Sequence, residues 1–290
     1  MLKIEISVSD GQGSVNEDAV GHYGNAAWVI DGATGIGPSL LDASEGADSD
    51  AAWLARTASR LIGEVLAESP ALATVEVLRT VMTRCGQALA RAQVRSAEWL
   101  HELPSAAFAM VRIVDGQAEF TTLADCRIAA LDDAGEARLY GASSLDAMEA
   151  RTLEAARAIL AAEPAIAPDA LKARLMPGLR ANRALMNREG GYWVLGTDPA
   201  AAEHVWQERK ALRPGQRFAI ASDGFLRLIE LFGAAGPRDM LALGDERDAG
   251  HWLERLRDLE RQPGSMRRYL RVKPHDEASI VVCRVAEDGI

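Results

Sequence analysis

The chain has 290 residues, 48% hydrophobic and 26% charged, an ordinary globular composition with room for one large domain or two small ones. Its net charge of −10, from 42 acidic against 32 basic residues, argues against a nucleic-acid backbone as main partner, since that would call for a basic face. Three cysteines, Cys85, Cys126 and Cys283, are far apart and form no CxxC, so neither a zinc knuckle nor a disulfide framework is supported.

The first residues, "MLKIEISVSD", alternate like a strand and lack the apolar core of a signal peptide. No run approaches the length of a membrane span, so the expected compartment is the reducing cytoplasm, with no membrane partner. "AAWVI" reads as a short buried strand ending at Asp31. In "DSDAAWLARTASRLIGEVLAES", Trp53, Thr57, Leu61 and Val65 recur at helical spacing, with Ser49 or Asp50 as the cap. "ATVEVLRTVMTRCGQALARAQ" gives a second helix, with Val77, Val81, Cys85 and Leu89 on one face.

Residues 105 to 141 return to strands, "SAAFAMVRIV", "QAEFTTLA", "RIAAL" and "ARLY", separated by "DGQ", "DC" and "DDAGE" as tight turns. Residues 143 to 188 read as helical, with Pro164, Pro168 and Pro177 as punctuation. "GGYWVL" and "RFAIAS" read as strands, the second ending at Asp223. "GFLRLIELFG" and "AGHWLERLRDLERQ" read as helices, and "ASIVVCRVA" as a final strand after Asp276. Strands and helices come in blocks, which predicts an α+β fold of antiparallel sheets with helices outside, in one domain over residues 1–290.

"VIDGATGIG" poses a choice between a phosphate-cradling glycine loop and a carboxylate presented to a metal. Its order, G-x-x-G-x-G, departs from the dinucleotide pattern G-x-G-x-x-G, and a βαβ context is missing. Asp31 and Asp223 end strands, Asp276 precedes one, and Glu17 and Asp18 sit where the chain enters another. Carboxylates gathered at a sheet rim repel one another, and a divalent cation relieves the repulsion. All-oxygen ligands select hard ions such as Mg²⁺ or Mn²⁺. An acid before a glycine is by itself a common turn former, so the argument rests on the set.

Taken together, "NEDAV" at 16–20, "VIDGATG" at 29–35, "LADCRIAAL" at 123–131, "ASDGF" at 221–225 and "HDEASIVVCRV" at 275–285 resemble, in order, the motifs of the metal-dependent type 2C serine/threonine phosphatases. The resemblance implies a four-layer α-β-β-α sandwich with two metal ions, Mg or Mn, at one end of the sheets. It implies that Asp31 bridges both ions, that the Gly32 carbonyl reaches one, and that Asp223 and Asp276 bind the other. Glu17 and Asp18 would act through metal-bound water, and a metal-activated water would attack the phosphoester. The implied partner is a phosphoprotein, acted on by a monomer.

This chain departs from the family in several places. Gly13 stands where the family usually carries a phosphate-gripping Arg, and Ala33 where many members have His. Asp125 matches an acid that helps hold a third ion, but Arg227 replaces its usual second acid. A third ion is therefore expected to be weak or absent, with Arg227 pairing with Asp125 or Asp223. The flap-like insertion at about 143–190 carries Arg174, Arg180, Arg183 and Arg188, and Arg183 is the candidate phosphate ligand in place of Gly13. His275 is expected to be an exposed loop residue, and Cys126 a small packing residue. Two other readings stay open: a weakly active or inactive phosphatase-like binding module, and a phosphatase of small phosphoesters.

Overall fold

A computed structural model of the chain describes residues 1–11, 13, 15–42, 48–142 and 145–286. Its strands are β1 (Leu2–Asp10), β2 (Asp18–Tyr23), β3 (Ala26–Gly32), β4 (Ala106–Val114), β5 (Gln117–Leu123), β6 (Arg127–Leu131), β7 (Ala137–Tyr140), β8 (Trp206–Ala211), β9 (Arg217–Ala221) and β10 (Ala278–Val285). They form two five-stranded antiparallel sheets, ordered β1-β10-β9-β6-β7 and β2-β3-β4-β5-β8. The helices are α1 (Asp50–Glu68), α2 (Thr74–Ala92), α3 (Asp146–Ala162), α4 (Pro168–Arg183), α5 (Asp223–Glu230), α6 (Pro237–Leu241), α7 (Glu246–Arg261) and α8 (Ser265–Arg268).

Strand alternation builds the layers. In β3, Ala27 and Val29 point between the sheets, where they join Phe120, Ile128, Phe218, Ile220, Val281 and Cys283. Trp28 and Ile30 point the other way, against Leu54, Ala58 and Ile62 of α1 and Val77 and Val81 of α2. In the second sheet, Ala219, Ala221, Ile280 and Val282 face Phe225 and Leu228 of α5 and Leu256 of α7. Because each central strand is covered on both faces, it reads as a continuous apolar run. The result is the predicted α-β-β-α sandwich. Fully buried Phe108, Phe120 and Phe218 each contribute roughly 1.5–3 kcal/mol of transfer free energy to it.

The β4–β5 link is a two-residue turn in which Asp115 (φ 50°) and Gly116 (φ 72°) both adopt the left-handed conformation that Asp-Gly favours. Ser49 caps α1, its hydroxyl accepting from the Ala52 N–H at 3.1 Å. The three cysteines are buried and unbonded to one another.

Two expectations change. "GGYWVL" forms only isolated bridges, Ala106 with Leu195 and Met186 with Tyr192. Its backbone is taken up by a turn: the Asn187 N–H donates to the Tyr192 carbonyl at 2.8 Å, and the Asn187 side chain accepts from the Val194 N–H at 2.9 Å. The strand that completes this sheet is β8, "WQERKA", whose edge position lets polar residues hide the pattern. Pro177 lies inside α4 rather than ending it, whereas Pro168 opens that helix. Positions 143 and 144 of the expected helical insertion lie outside the described residues.

Candidate metal and phosphate site

Five acids come to one end of the sandwich, each for a local reason. The β2–β3 register sets Asp18 directly opposite Asp31. Like charges facing each other across a strand pair are destabilising, so this pairing needs an external reason. Asp223 begins α5 immediately after β9, and Ser222 holds that turn to β10 through bonds with Ser279 of 2.9 and 3.0 Å. Asp276 lies two residues before β10. Asp125 sits in the β5–β6 turn, where Ala124 takes a left-handed φ of 61°.

Their closeness and burial set the direction in which each carboxyl is shifted. Burial pushes the Asp18 carboxyl up to about 7, with Asp223, Glu277 and Asp276 adding to the rise. Burial also raises Asp31 well above the carboxylate range, assisted by Asp18, Asp223 and Asp125. Asp125 is pushed up to about 8, by burial first and then by Asp223. Asp223 is raised by burial and by Asp276, partly offset by Arg227 and by a hydrogen bond from Asp31. Asp18 is the outlier in bonding. It is 5% exposed, and both its carboxylate oxygens are buried without a hydrogen-bond partner among the described residues. The nearby Ser279 hydroxyl tempers the rise in its pKa, but that hydroxyl donates to Ser9 Oγ at 2.8 Å.

Asp276 is the opposite case. Lys273 Nζ donates to its Oδ1 at 2.8 Å, and Arg227 Nη2 donates to its Oδ2 at 2.7 Å. Burial alone would raise this carboxyl, but Lys273 and Arg227 outweigh it and hold Asp276 below the ordinary range. Arg227 therefore pairs with Asp276 and with Glu260, its Nη1 reaching Glu260 Oε1 at 2.6 Å, rather than with Asp125 or Asp223. Glu260 is fully buried and also takes Arg257 at 2.8 Å and His275 Nδ1 at 3.0 Å, so His275 is a half-buried member of this network and not a free loop residue. Arg257 continues to Asp10 at 2.9 Å. The sequence reading missed Lys273 and Glu260. For Lys273 the signal was present, as a lysine three residues before an acid.

Glu17 is buried and accepts from Thr34 Oγ1 at 2.5 Å and Ser49 Oγ at 2.6 Å, tying the loop after β3 to the start of α1. The Gly32 N–H donates to the Glu17 carbonyl at 3.1 Å. A Cβ on Gly32 would overlap that same oxygen, which is why the residue after Asp31 is glycine. From the insertion, Arg183 Nη1 donates to the Thr34 carbonyl at 2.9 Å and Arg180 Nε to the Ile36 carbonyl at 3.2 Å. The Arg183 guanidinium also faces Tyr192 and Glu17, and burial lowers its pKa. Helix α4 is thus fastened to the loop that follows Asp31, three residues from that acid.

No protein-family model matches the sequence, and neither does any curated protein. Solved structures do match. The PPM Ser-Thr phosphatase MsPP from Mycobacterium smegmatis aligns over 99% of this chain and 98% of its own, with a TM-score of 0.57 and 14% identity. The fold is that of the PPM phosphatases. Stp1, a serine/threonine phosphatase from Staphylococcus aureus, aligns over 98% of this chain and 95% of its own, with a TM-score of 0.57 and 12% identity. The catalytic domain of the serine/threonine phosphatase PstP, in complex with 2 manganese ions, covers 98% of each chain, with a TM-score of 0.54 and 14% identity.

A divalent ion at this end of the PPM sandwich can be tested against the residues present. The donors are hard oxygens, and the oxygens of Asp18, without a hydrogen-bond partner among the described residues, lie across the strand pair from Asp31, an arrangement that suits a cation. Asp276 does not fit in the same way, because both its oxygens already carry cationic partners. Among the described residues, no three His, Cys, Asp or Glu side chains close around one point as a ready ligand set. No helix of the described residues is long and apolar enough to cross a membrane.

Proposed function

We propose that this chain hydrolyses phosphomonoesters with the help of Mg²⁺ or Mn²⁺, and that its substrates are phosphoserine and phosphothreonine in proteins. The observation that carries the reading is Asp18. Its two buried oxygens, without a hydrogen-bond partner among the described residues, sit directly across a strand pair from Asp31, at the sheet end where this chain's acids gather. A buried carboxylate facing a half-buried one without compensation is costly, so retaining the pair has a functional rationale. In this reading Asp31, the Gly32 carbonyl and Asp18 hold the cation, and Glu17 fixes the loop that follows. A bound divalent ion would supply a Lewis acid and a lowered pKa for water. Asp223 neighbours Asp31 and adds to the negative charge that a bound cation would offset. In this reading Arg183, which donates to the Thr34 carbonyl, meets the phosphate from the flap. We further take the chain to act as one cytoplasmic, monomeric unit.

The test is hydrolysis of p-nitrophenyl phosphate with Mn²⁺, with and without chelator, followed by phosphoserine and phosphothreonine peptides against free small phosphoesters. Hydrolysis that is lost with chelator and with Asp31→Asn supports the reading, and chelator-resistant or absent hydrolysis overturns it. A faster reaction on small esters than on peptides would move the substrate class. One observation favours a second reading, a phosphatase-like binding module: Asp276 is already neutralised by Lys273 and Arg227. Mn²⁺ binding without turnover would establish that alternative.

A further inference from the structure

The carboxylates at this site divide into two kinds. Among the described residues, no cationic side chain is bonded to Asp18 or Asp31, and the Asp18 oxygens are buried without a hydrogen-bond partner. Asp276 has one positively charged group on each oxygen, at 2.8 Å from Lys273 and 2.7 Å from Arg227. These two cations are not loosely placed. Arg227 is 9% exposed, lies on α5 four residues after Asp223, and is gripped on its other side by Glu260. Glu260 is in turn held by Arg257, whose guanidinium reaches Asp10 on β1. Lys273 is three residues before Asp276, and its ammonium also lies 3.7 Å from Glu277 Oε2. Placing a divalent ion on Asp276 would bring it against a guanidinium and an ammonium that cannot both withdraw. Arg227 is locked by the buried Glu260, and it remains charged at any accessible pH.

We infer that the Lys273 ammonium and the Arg227 guanidinium take up both oxygens of Asp276 that a second metal ion would need, so that the site takes one divalent cation, at the Asp18–Asp31 end, and Asp276 is not a ligand. This rests on the metal-dependent reading above and departs from the two-manganese state of the PstP catalytic domain. Its chemical consequence is a fixed positive charge on the Asp276 side of the site that needs no ion and resists chelation. Lys273 has a half-exposed side chain and a third N–H, so it can also meet an incoming phosphate oxygen with a charge-assisted bond.

The experiment counts ions on the intact protein. Equilibrium dialysis with Mn²⁺, read by elemental analysis and by electron paramagnetic resonance, gives the stoichiometry of the wild type, Asp276→Asn, Lys273→Gln and Asp31→Asn. We expect one ion per wild-type chain at concentrations that saturate the first site, and no spin coupling between neighbouring Mn²⁺ ions. We expect the same stoichiometry and an affinity within about twofold in Asp276→Asn, a second ion gained in Lys273→Gln, and loss in Asp31→Asn. Two ions on the wild type, or loss of the ion in Asp276→Asn with circular dichroism unchanged, would overturn the inference while leaving metal dependence intact. No ion on a folded wild type would overturn both readings. The wild-type count decides even if a variant fails to fold.

Discussion

The carbonyl oxygen of Glu277 fills the space that a Cβ on Gly224 would need. Gly224 follows Asp223 at the start of α5, and Glu277 follows Asp276 at the entry to β10. This approach of two backbones brings the two acidic segments together, and it is set by the missing side chain rather than by any attraction between the acids. Glycine is required here for closeness, since it is not among the positive-φ residues.

Gly224→Ala should therefore force the entry of β10 away from α5. We expect a loss of about 3 kcal/mol in a urea melt, the upper end for overpacking. Because the shift moves Asp276 relative to Asp223, any Mn²⁺-dependent hydrolysis should fall more than an equal loss of stability elsewhere would cause. A variant with wild-type stability would show that the strand entry is free to move.

The raised acids predict how the metal-free protein responds to pH. Asp18 rises from 3.8 to about 7 and Asp125 to about 8. A carboxyl whose folded pKa is raised binds more protons when folded, so its contribution is complete below about pH 4 and is lost as pH climbs through about 7 to 8. Asp276 acts in the opposite sense, its stabilisation being lost only as pH falls below the carboxylate range. Thermal melts in chelator should thus weaken from pH 5 to pH 8, by an amount on the order of a few kcal/mol. Asp18→Asn should flatten that slope, and Mn²⁺ should restore most of the wild-type loss at pH 8. A wild-type protein in chelator that grows more stable over this range would contradict the burial of these acids.

Arg227→Met should be the costliest change in the network. It leaves Glu260 with one cation fewer in a fully buried position and removes one of the two partners of Asp276. Breaking a buried ion pair from one side costs about 3–5 kcal/mol, far more than the pair contributes relative to an apolar replacement. The double variant Arg227→Met with Glu260→Met should recover a large part of that loss in chemical denaturation. No recovery would mean that Asp276, rather than Glu260, is the partner that matters.

Substrate grip can be tested from two sides. Gly13 is exposed, is not among the positive-φ glycines, and has nothing nearer to its missing Cβ than the Val15 carbonyl at 3.6 Å, so Gly13→Arg should fold. We expect it to lower KM for a small phosphoester by a few-fold, while Arg183→Ala raises it, since arginine meets phosphate with charge-assisted and often bidentate bonds. Unchanged KM in both folded variants would place phosphate recognition elsewhere, with Lys273→Gln as the next variant to assay.

Much of the architecture was legible because burial writes itself into a strand or helix. "AAWVI" and "ASIVVCRV" are apolar throughout, since both of their faces are covered, and the four-residue rows of α1 and α2 mark the faces they bury. "GGYWVL" misled because apolar side chains directed into the inter-sheet core look alike whether the backbone pairs in a ladder or, as here, turns on Asn187. β8 was hidden for the converse reason, an edge strand being free to carry charge.

The sequence by itself determined that acids stand at strand ends, that glycines follow Asp31 and Asp223, and that an arginine sits where an acid was expected. Such features are local, and residue type with spacing is enough to read them. Only the tertiary structure decided which acid faces which cation. Asp18 and Asp276 look alike in the sequence, yet the β2–β3 register leaves the first bare against Asp31, while the approach of α5 and α7 delivers Arg227, braced by Glu260, to the second. Charge compensation acts across a few ångström of space between residues 33 to 49 positions apart in the chain, so no spacing rule along the sequence could have assigned it.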